Sequence, residues 1–138
     1  MSNTRSELSE KNQYRIEKHR YYELMHFCLQ YPIWKKAYAS LTDLSSRPAD
    51  LLLKENFGHL ADPTARCAQA RLFYSTRINM VEETARETEP ALWNYILKAV
   101  TEGLSYDKLR TMTNIPCGKD AYYKLHRKFY WLLNKKRD

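Results

Sequence analysis

Basic side chains are concentrated at the carboxyl-terminal end of this chain of 138 residues. The last 35 residues contain nine Lys and Arg residues against three acids, while the whole chain carries a net charge of +7. Nearly all of the net positive charge therefore belongs to this segment. Clustered cations attract phosphate polymers to one part of a protein surface. The sequence predicts a phosphate-binding surface formed by Lys108, Arg110, Lys119, Lys124, Arg127, Lys128, Lys135 and Lys136.

The other chemically active side chains do not form a recognisable enzyme motif. The four His and three Cys residues share no metal-ligand spacing, and we expect reduced thiols without a structural disulfide. His126 lies beside Arg127, and we expect it near a phosphate. Four glutamates between positions 82 and 89 are interpreted as a solvated helix end rather than as paired catalytic carboxylates. Because no phosphate loop or nucleophile elbow is present, we expect no enzyme, cofactor or metal.

Composition and periodicity predict an all-α fold. Only three Gly residues are present, apolar residues recur at helical spacing, and no β pattern of any length is found. No apolar run is long enough to span a membrane, and the polar amino-terminal end has no signal-peptide pattern. We therefore expect a cytoplasmic protein with no membrane partner.

Helix signals divide the chain into three predicted segments. Residues 1–61 form a helical arm and linker, with a helix from Gln13 that breaks at Tyr31–Pro32 and a second helix that ends near Ala39. Asp62-Pro63 is a strong helix start, so residues 62–89 form a long connecting or dimerisation helix. Leu72 and Phe73 are assigned to its apolar positions. Residues 90–138 form the third segment.

The third segment has the pattern of a helix-turn-helix unit. A helix from Pro90 to Glu102 is followed by a stop at Gly103, and a short helix capped by Ser105 places Leu109 and Met112 inward. A turn with a buried Ile115 precedes the basic helix, whose predicted inward stripe is Tyr122, Leu125, Phe129, Leu132 and Leu133. Its predicted outward residues are Lys119, Asp120, Tyr123, Lys124, Arg127, Lys128 and Trp131. Tyr123 and Trp131 are equally suited to packing and to contact with bases.

The segment Leu92–Phe129 also resembles the ArpU/RinA group of phage-encoded late transcriptional activators, and Tyr122-Tyr123-Lys124-Leu125-His126-Arg127-Lys128 is its most specific part. The resemblance covers about the last third of the chain, and the turn 116–121 is longer than the turn usual in that group. The carboxyl-terminal unit of these activators is similar to the DNA-binding region of sigma factors. The resemblance implies a phage or prophage protein of Gram-positive bacteria that binds double-stranded DNA through a helix-turn-helix.

Two classes of function fit the sequence. The first is a DNA-binding transcriptional regulator that places the basic helix in the major groove, and we expect a homodimer because palindromic sites favour two-fold symmetry. The second is a phage anti-defence protein of the anti-CRISPR type, whose partner would be a host RNA-guided nuclease or another host protein. A small terminase-type packaging subunit is a third option.

Overall fold

The computed structural model describes residues 13–42, 57–58 and 62–137, and the regular secondary structure in these ranges is all helical, with no strand. The all-α prediction is therefore confirmed. Most of the predicted linker between Thr42 and Ala61, and the lead-in before Gln13, lie outside the described residues. The described part contains six helices: α1 (Lys18–Leu29), α2 (Tyr31–Thr42), α3 (Pro63–Thr88), α4 (Trp93–Glu102), α5 (Tyr106–Thr113) and α6 (Lys119–Lys136).

The first helix begins later than the sequence pattern indicates. It starts at Lys18 rather than near Gln13, because the Glu17 carboxylate accepts hydrogen bonds from the backbone N–H groups of His19 and Arg20 at 2.9 and 3.0 Å. These bonds satisfy two amides that a longer helix would have paired internally. They also lower the pKa of the Glu17 carboxyl. The predicted break is confirmed: α1 ends at Leu29, and Pro32 lies in the first turn of α2.

The long helix α3 has the bounds that the sequence predicts. The Asp62 carboxylate accepts a hydrogen bond from the Thr64 N–H at 3.0 Å, as expected of a capping residue. The assignment of Leu72 and Phe73 to its apolar side is wrong, since both are exposed. The buried residues follow the three-and-four spacing of a single stripe, which Leu72 and Phe73 do not share: Ala70, Tyr74, Ile78, Val81, Thr84, Ala85 and Thr88.

The three carboxyl-terminal helices are joined by short, well-defined turns. Helix α4 starts at Trp93 rather than Pro90, after a turn in which Glu89 accepts a hydrogen bond from the Ala91 N–H. Gly103 ends it with a φ of +67°, in the left-handed region where glycine lacks the Cβ penalty, as predicted. The Ser105 hydroxyl then accepts a hydrogen bond from the Lys108 N–H, which confirms Ser105 as the cap of α5.

Two of the three positions predicted to be interior in this region are buried. Leu109 and Ile115 are buried as expected, but Met112 is 52% exposed. The side of the short helix α5 that faces the core is narrow, and Leu109 together with Tyr106 fills it. The small core around α5 consists of Ala99, Tyr106, Leu109, Ile115 and Tyr122.

The contacts group the described chain into two compact units. Residues 13–30 and 80–137 form the first unit, in which α1 packs against both α4 and α6. Residues 31–79 belong to the second unit, where the Arg71 guanidinium donates a hydrogen bond to the Leu41 carbonyl oxygen at 3.2 Å. These units do not follow the chain order 1–61, 62–89 and 90–138, because α1 packs against helices that are distant from it in sequence.

Removing a completely buried apolar side chain of α1 should destabilise the first unit. Leu24 is completely buried, so we expect Leu24→Ala to lower the free energy of unfolding by about 2–5 kcal/mol, because apolar burial decreases and a cavity remains. Denaturant titration followed by circular dichroism measures this change. His26→Ala, an exposed substitution on the same helix, is the control and should have little effect. Equal stability of the two variants would contradict the packing of α1.

Candidate nucleic-acid interface

Helix α6 has one buried and one exposed side. Its buried residues recur every three or four positions and form the predicted inward side, extended by His126 and Tyr130, which the sequence pattern had not assigned to it: Tyr122, His126, Phe129, Tyr130 and Leu133. Leu125 and Leu132, which were predicted inward, are half-buried at its margin. Because α-helical residues rotate by about 100° per position, the opposite side of α6 is free of core contacts.

A row of lysines follows this opposite side, and we call it the lysine strip: Lys124, Lys128 and Lys135. Their spacing of four and seven residues places them on one side of the helix. Lys124 and Lys135 are exposed and Lys128 is half-buried. The 18 residues of α6 span about 27 Å, so the strip follows more than half of that length. The arrangement presents a line of positive charge that a phosphate backbone can follow.

Trp131 lies within the same side of α6 as the lysine strip. The Nζ atom of Lys135 is 3.4 Å from the centroid of its indole ring, and the ring centroid of Tyr14 is 5.3 Å from it. These contacts are a cation–π pair and an aromatic pair, which hold Trp131 against the protein. Trp131 therefore supports Lys135 at the surface, and the packing interpretation of this residue accounts for its position.

The amino-terminal end of α6 combines a cation with open space. Lys119 and Asp120 are both exposed in the first turn, and Gly118 caps the helix without a side-chain hydrogen bond. The Lys119 Nζ lies 3.7 Å from a carboxylate oxygen of Asp107 on α5, a long and solvent-exposed ion pair. Such pairs contribute little to stability, so Lys119 can exchange this partner for a phosphate.

Tyr123 is half-buried and fixes α5 to α6. Its hydroxyl oxygen accepts a hydrogen bond from the backbone N–H of Tyr106 at 3.2 Å, at the first residue of α5. The Tyr106 hydroxyl in turn donates to the Cys117 carbonyl oxygen in the turn between the helices. These two bonds satisfy polar groups beside the small core around α5 and hold the two helices in register. The structure gives Tyr123 a packing role, whereas the sequence pattern placed it among residues that face outward.

The remaining predicted cations lie on α5, in the middle of α6 and at its carboxyl-terminal end. Lys108 and Arg110 are exposed on α5, and Arg127 is half-buried on α6. Lys136 forms an ion pair with Glu87 of α3, with a distance of 2.9 Å between the Lys136 Nζ and a carboxylate oxygen. This ion pair stabilises the end of α6 against α3 and makes Lys136 a weaker candidate for phosphate contact than Lys135.

The expectation that His126 lies at the surface near a phosphate is wrong. The residue is 6% exposed, and its ring lies 5.0 Å from that of Tyr130 and 5.8 Å from that of Tyr122. Tyr122, His126 and Tyr130 follow one another at intervals of four residues, so helical periodicity alone places His126 on the buried side. Its polarity and its neighbour Arg127 were the signals that favoured the surface. An imidazole surrounded by aromatic rings is a core residue of this helix.

The carboxyl-terminal half of α6 is positioned by contacts with α1. The Arg20 Nε donates a hydrogen bond to the Asn134 side-chain oxygen at 2.6 Å, and the Arg137 guanidinium lies 4.1 Å from the Phe27 ring centroid. Tyr21 and Tyr130 form an edge-to-face pair with centroids 5.1 Å apart. All of these contacts are made from the buried side or the margin of α6, so they orient the lysine strip without covering it.

The cysteines, the possible metal ligands and the helix lengths can each be described directly. All three cysteines are free, and burial raises the pKa of the Cys28 and Cys117 thiols, so both stay protonated at neutral pH. Within the described ranges, no three His, Cys, Asp or Glu side chains are grouped as metal ligands would be. None of the described helices is long and apolar enough to cross a membrane.

Comparison of the chain with protein-family models, curated proteins and solved structures gives no match. The geometry of this surface and the resemblance carried by its residues are therefore the basis for assigning a function.

The contact between Tyr123 and Tyr106 can be tested directly. We expect Tyr123→Phe to lower the free energy of unfolding by about 0.5–1.5 kcal/mol, because the Tyr106 N–H loses its acceptor while the ring is kept. Tyr95→Phe is the matched control, since Tyr95 packs against the same core and its hydroxyl makes no hydrogen bond among the described residues. Thermal unfolding measures the stability of both variants. Destabilisation of the control alone would contradict the proposed contribution of the hydrogen bond between Tyr123 and Tyr106.

Proposed function

We propose that the protein binds double-stranded DNA through α6, with α5 and α6 acting as a helix-turn-helix. The observation that supports the proposal is the division of α6 into a buried aromatic side and an exposed side that carries the lysine strip. An α-helix fits the major groove of B-DNA, where base edges differ in their donors and acceptors. A helix held on one side by a core and basic on the other is suited to that groove.

The positions of the cations suggest a division of roles. Lys119, Lys124 and Arg127 lie in the first half of α6, which in this motif contacts base edges. Lys108 and Arg110 on α5, with Lys128 and Lys135 farther along α6, are suited to phosphate contacts that set orientation. Asp120 in the first turn favours the helix dipole but repels phosphate, so it restricts how closely the backbone approaches that turn.

Regulation of phage transcription is the biological role that we propose for this DNA binding. It rests on the resemblance of Leu92–Phe129 to the late activators of phages, and it implies a protein of the infected bacterial cytoplasm. The alternative is an anti-defence inhibitor that occupies the nucleic-acid channels of a host nuclease or binds its guide or target, and the acidic end of α3 is the part of the chain that could imitate phosphates. Glu87 at that end is engaged in an ion pair with Lys136, which reduces the negative charge available to a partner.

Removing two cations from the groove-facing half of α6 should weaken DNA binding. We expect Lys124→Ala with Arg127→Ala to weaken it by about 1–3 kcal/mol for each side chain that binds DNA in the unaltered protein. The salt dependence should also decrease, by about 0.9 in the logarithmic slope for each phosphate that is no longer neutralised. Fluorescence anisotropy with a short labelled duplex at several salt concentrations measures both quantities.

The matched control for this experiment removes the same charge elsewhere. Lys18 on α1 and Arg86 on α3 are both exposed and lie outside residues 31–79, so Lys18→Ala with Arg86→Ala lowers the net charge equally without altering α6. This variant should bind DNA with the affinity and the salt slope of the unaltered protein, apart from the small loss of affinity that a lower net charge causes. If both double variants lose affinity to the same extent, binding follows total charge and α6 is not the recognition helix.

We also propose that the protein forms a homodimer through residues 31–79. Four of the five large hydrophobic side chains that are exposed in the described part lie in this range, and Leu72 is 61% exposed on α3. A second copy would remove this surface from water and provide the two-fold symmetry that paired half-sites require. The cations of α6 belong to the other compact unit and are not needed for this contact.

The dimer can be tested by polar substitution of its proposed contact. Leu72→Gln should raise the dissociation constant of the dimer by about tenfold or more, because burying a leucine contributes about 1.5–3 kcal/mol. Met112→Gln, at the exposed methionine of α5, should leave self-association unchanged. Sedimentation velocity over a concentration series measures both, and a monomeric unaltered protein at micromolar concentration would refute the proposed dimer.

A further inference from the structure

A cavity of about 250 Å³ lies where α1, α4, α5 and α6 meet, within the first compact unit. Its walls include residues of all four helices, and it is partly open to solvent. The cavity lies away from the lysine strip, because it borders α6 at His126 and Tyr130 on the buried side. The proposed DNA contact therefore does not account for it.

The lining of this cavity separates apolar from polar groups. Tyr21, Val100 and Tyr130 are almost completely buried and provide apolar and aromatic walls, with Ala99 and the half-buried Met25 and Leu104 beside them. Gly103, Ser105 and Lys108 are exposed and lie at the open part. Lys108 is the lysine of this lining, and none of the described lining residues is acidic. The cavity is therefore apolar inside, with a cation at its mouth.

We propose that this cavity binds a small aromatic molecule that carries one negative charge. Ligand sites are concave and mostly apolar, with a few polar groups that fix orientation, and this cavity has that composition with a volume just below the usual range of such sites. Its volume suits one or two fused rings rather than a peptide. The half-buried Met25 and Leu104, together with the edges of the nearly buried rings of Tyr21, His126 and Tyr130, offer apolar contact to an aromatic guest. The Lys108 ammonium offers a charge-assisted contact to its carboxylate.

Occupation of the cavity would act on the DNA-binding surface. The ligand touches α5 at Lys108 and α6 at His126, the two helices assigned to the helix-turn-helix. A carboxylate paired with Lys108 neutralises one of the cations assigned to phosphate contact. Binding of the small anion and binding of DNA therefore oppose each other, and linkage makes that effect reciprocal. This regulatory step rests on the proposed DNA binding, whereas the ligand site itself does not.

The probes for the site are 2-naphthoate and its neutral isostere 2-naphthamide, titrated into the full chain by isothermal calorimetry and by ¹H–¹⁵N NMR. We expect the carboxylate to bind about tenfold more tightly than the amide, a difference of about 1.4 kcal/mol. The largest NMR shifts should fall on Val100, His126 and Tyr130. Equal affinities, or shifts confined to other regions, would overturn the proposal.

Two matched variants of α5 test the role of the lysine. Lys108→Gln and Arg110→Gln each remove one exposed cation from the same helix, but only Lys108 lines the cavity. We expect Lys108→Gln to abolish the preference for the carboxylate and Arg110→Gln to keep it. Leu104→Trp, which enlarges a half-buried wall residue, should reduce the affinity for both probes. The assignment of the ligand to this cavity would be overturned if Lys108→Gln still preferred the carboxylate probe, or if Leu104→Trp bound both probes as tightly as the unaltered protein.

DNA binding in the same samples separates the two proposals. Saturating 2-naphthoate should weaken duplex binding by the unaltered protein, and 2-naphthamide should have a smaller effect. A protein that binds 2-naphthoate as described but shows no affinity for DNA supports the ligand site and refutes the proposed function. A protein that binds DNA but neither probe refutes the ligand site and leaves the DNA proposal intact.

Discussion

The packing of α1 against α4 and α6 is the constraint on which the first compact unit depends. Leu24 and Cys28 of α1 are completely excluded from solvent, and Tyr21 and Phe27 nearly so. These residues come from a segment that is separated from α4 by more than sixty positions. Bringing two segments so distant in sequence together costs chain entropy, which extensive apolar burial offsets. Because α1 covers one side of α6, it also decides which side of α6 remains available to a partner.

The aromatic residues of α6 make this division sharp. Tyr122, Phe129 and Tyr130 are all essentially buried. Three aromatic rings bury much more surface area than three aliphatic side chains would. The hydroxyl groups of Tyr106 and Tyr123 are hydrogen-bonded locally, to the Cys117 carbonyl oxygen and the Tyr106 N–H respectively. A rigid inner side of this kind lets the outer side carry several like charges, since the repulsion between them is weak in water compared with the burial energy. The shape of the basic surface is thus a consequence of the core beneath it.

Much of the local structure could be predicted from individual residues. Asp62-Pro63 fixed the start of α3, Gly103 ended α4 in the left-handed region, and Ser105 capped α5, because each of these signals acts within one turn of the chain. Helix starts without a strong signal were predicted less well. Glu17 is an uncommon capping residue, so the start of α1 was placed too early, and α4 begins three residues after the proline that was expected to open it.

The interior was predicted less completely than the helices. Met112 and Leu72 were expected inside by their hydrophobicity and are exposed, while His126 was expected outside and is buried. The hydrophobicity of a side chain indicates how much free energy its burial would gain, but it does not indicate which side of a helix packs against a neighbouring helix. The same distinction applies to the residues of the candidate nucleic-acid interface, whose exposure also depends on which side of the helix has a neighbour. Lys119, Lys124 and Lys135 were predicted at the surface and are exposed, whereas Tyr123 is half-buried because its hydroxyl is bonded to α5.

The sequence by itself determined the all-α class, most helix limits and the concentration of positive charge in the last 35 residues. Helix periodicity, caps and formal charge are properties of neighbouring residues, so no tertiary information is needed to recognise them. Only the tertiary structure decided that α1 covers α6, that Lys136 pairs with Glu87, and that a cavity opens beside Lys108. Each of these features joins residues far apart in the chain, and their proximity follows from how the helices pack rather than from any local pattern.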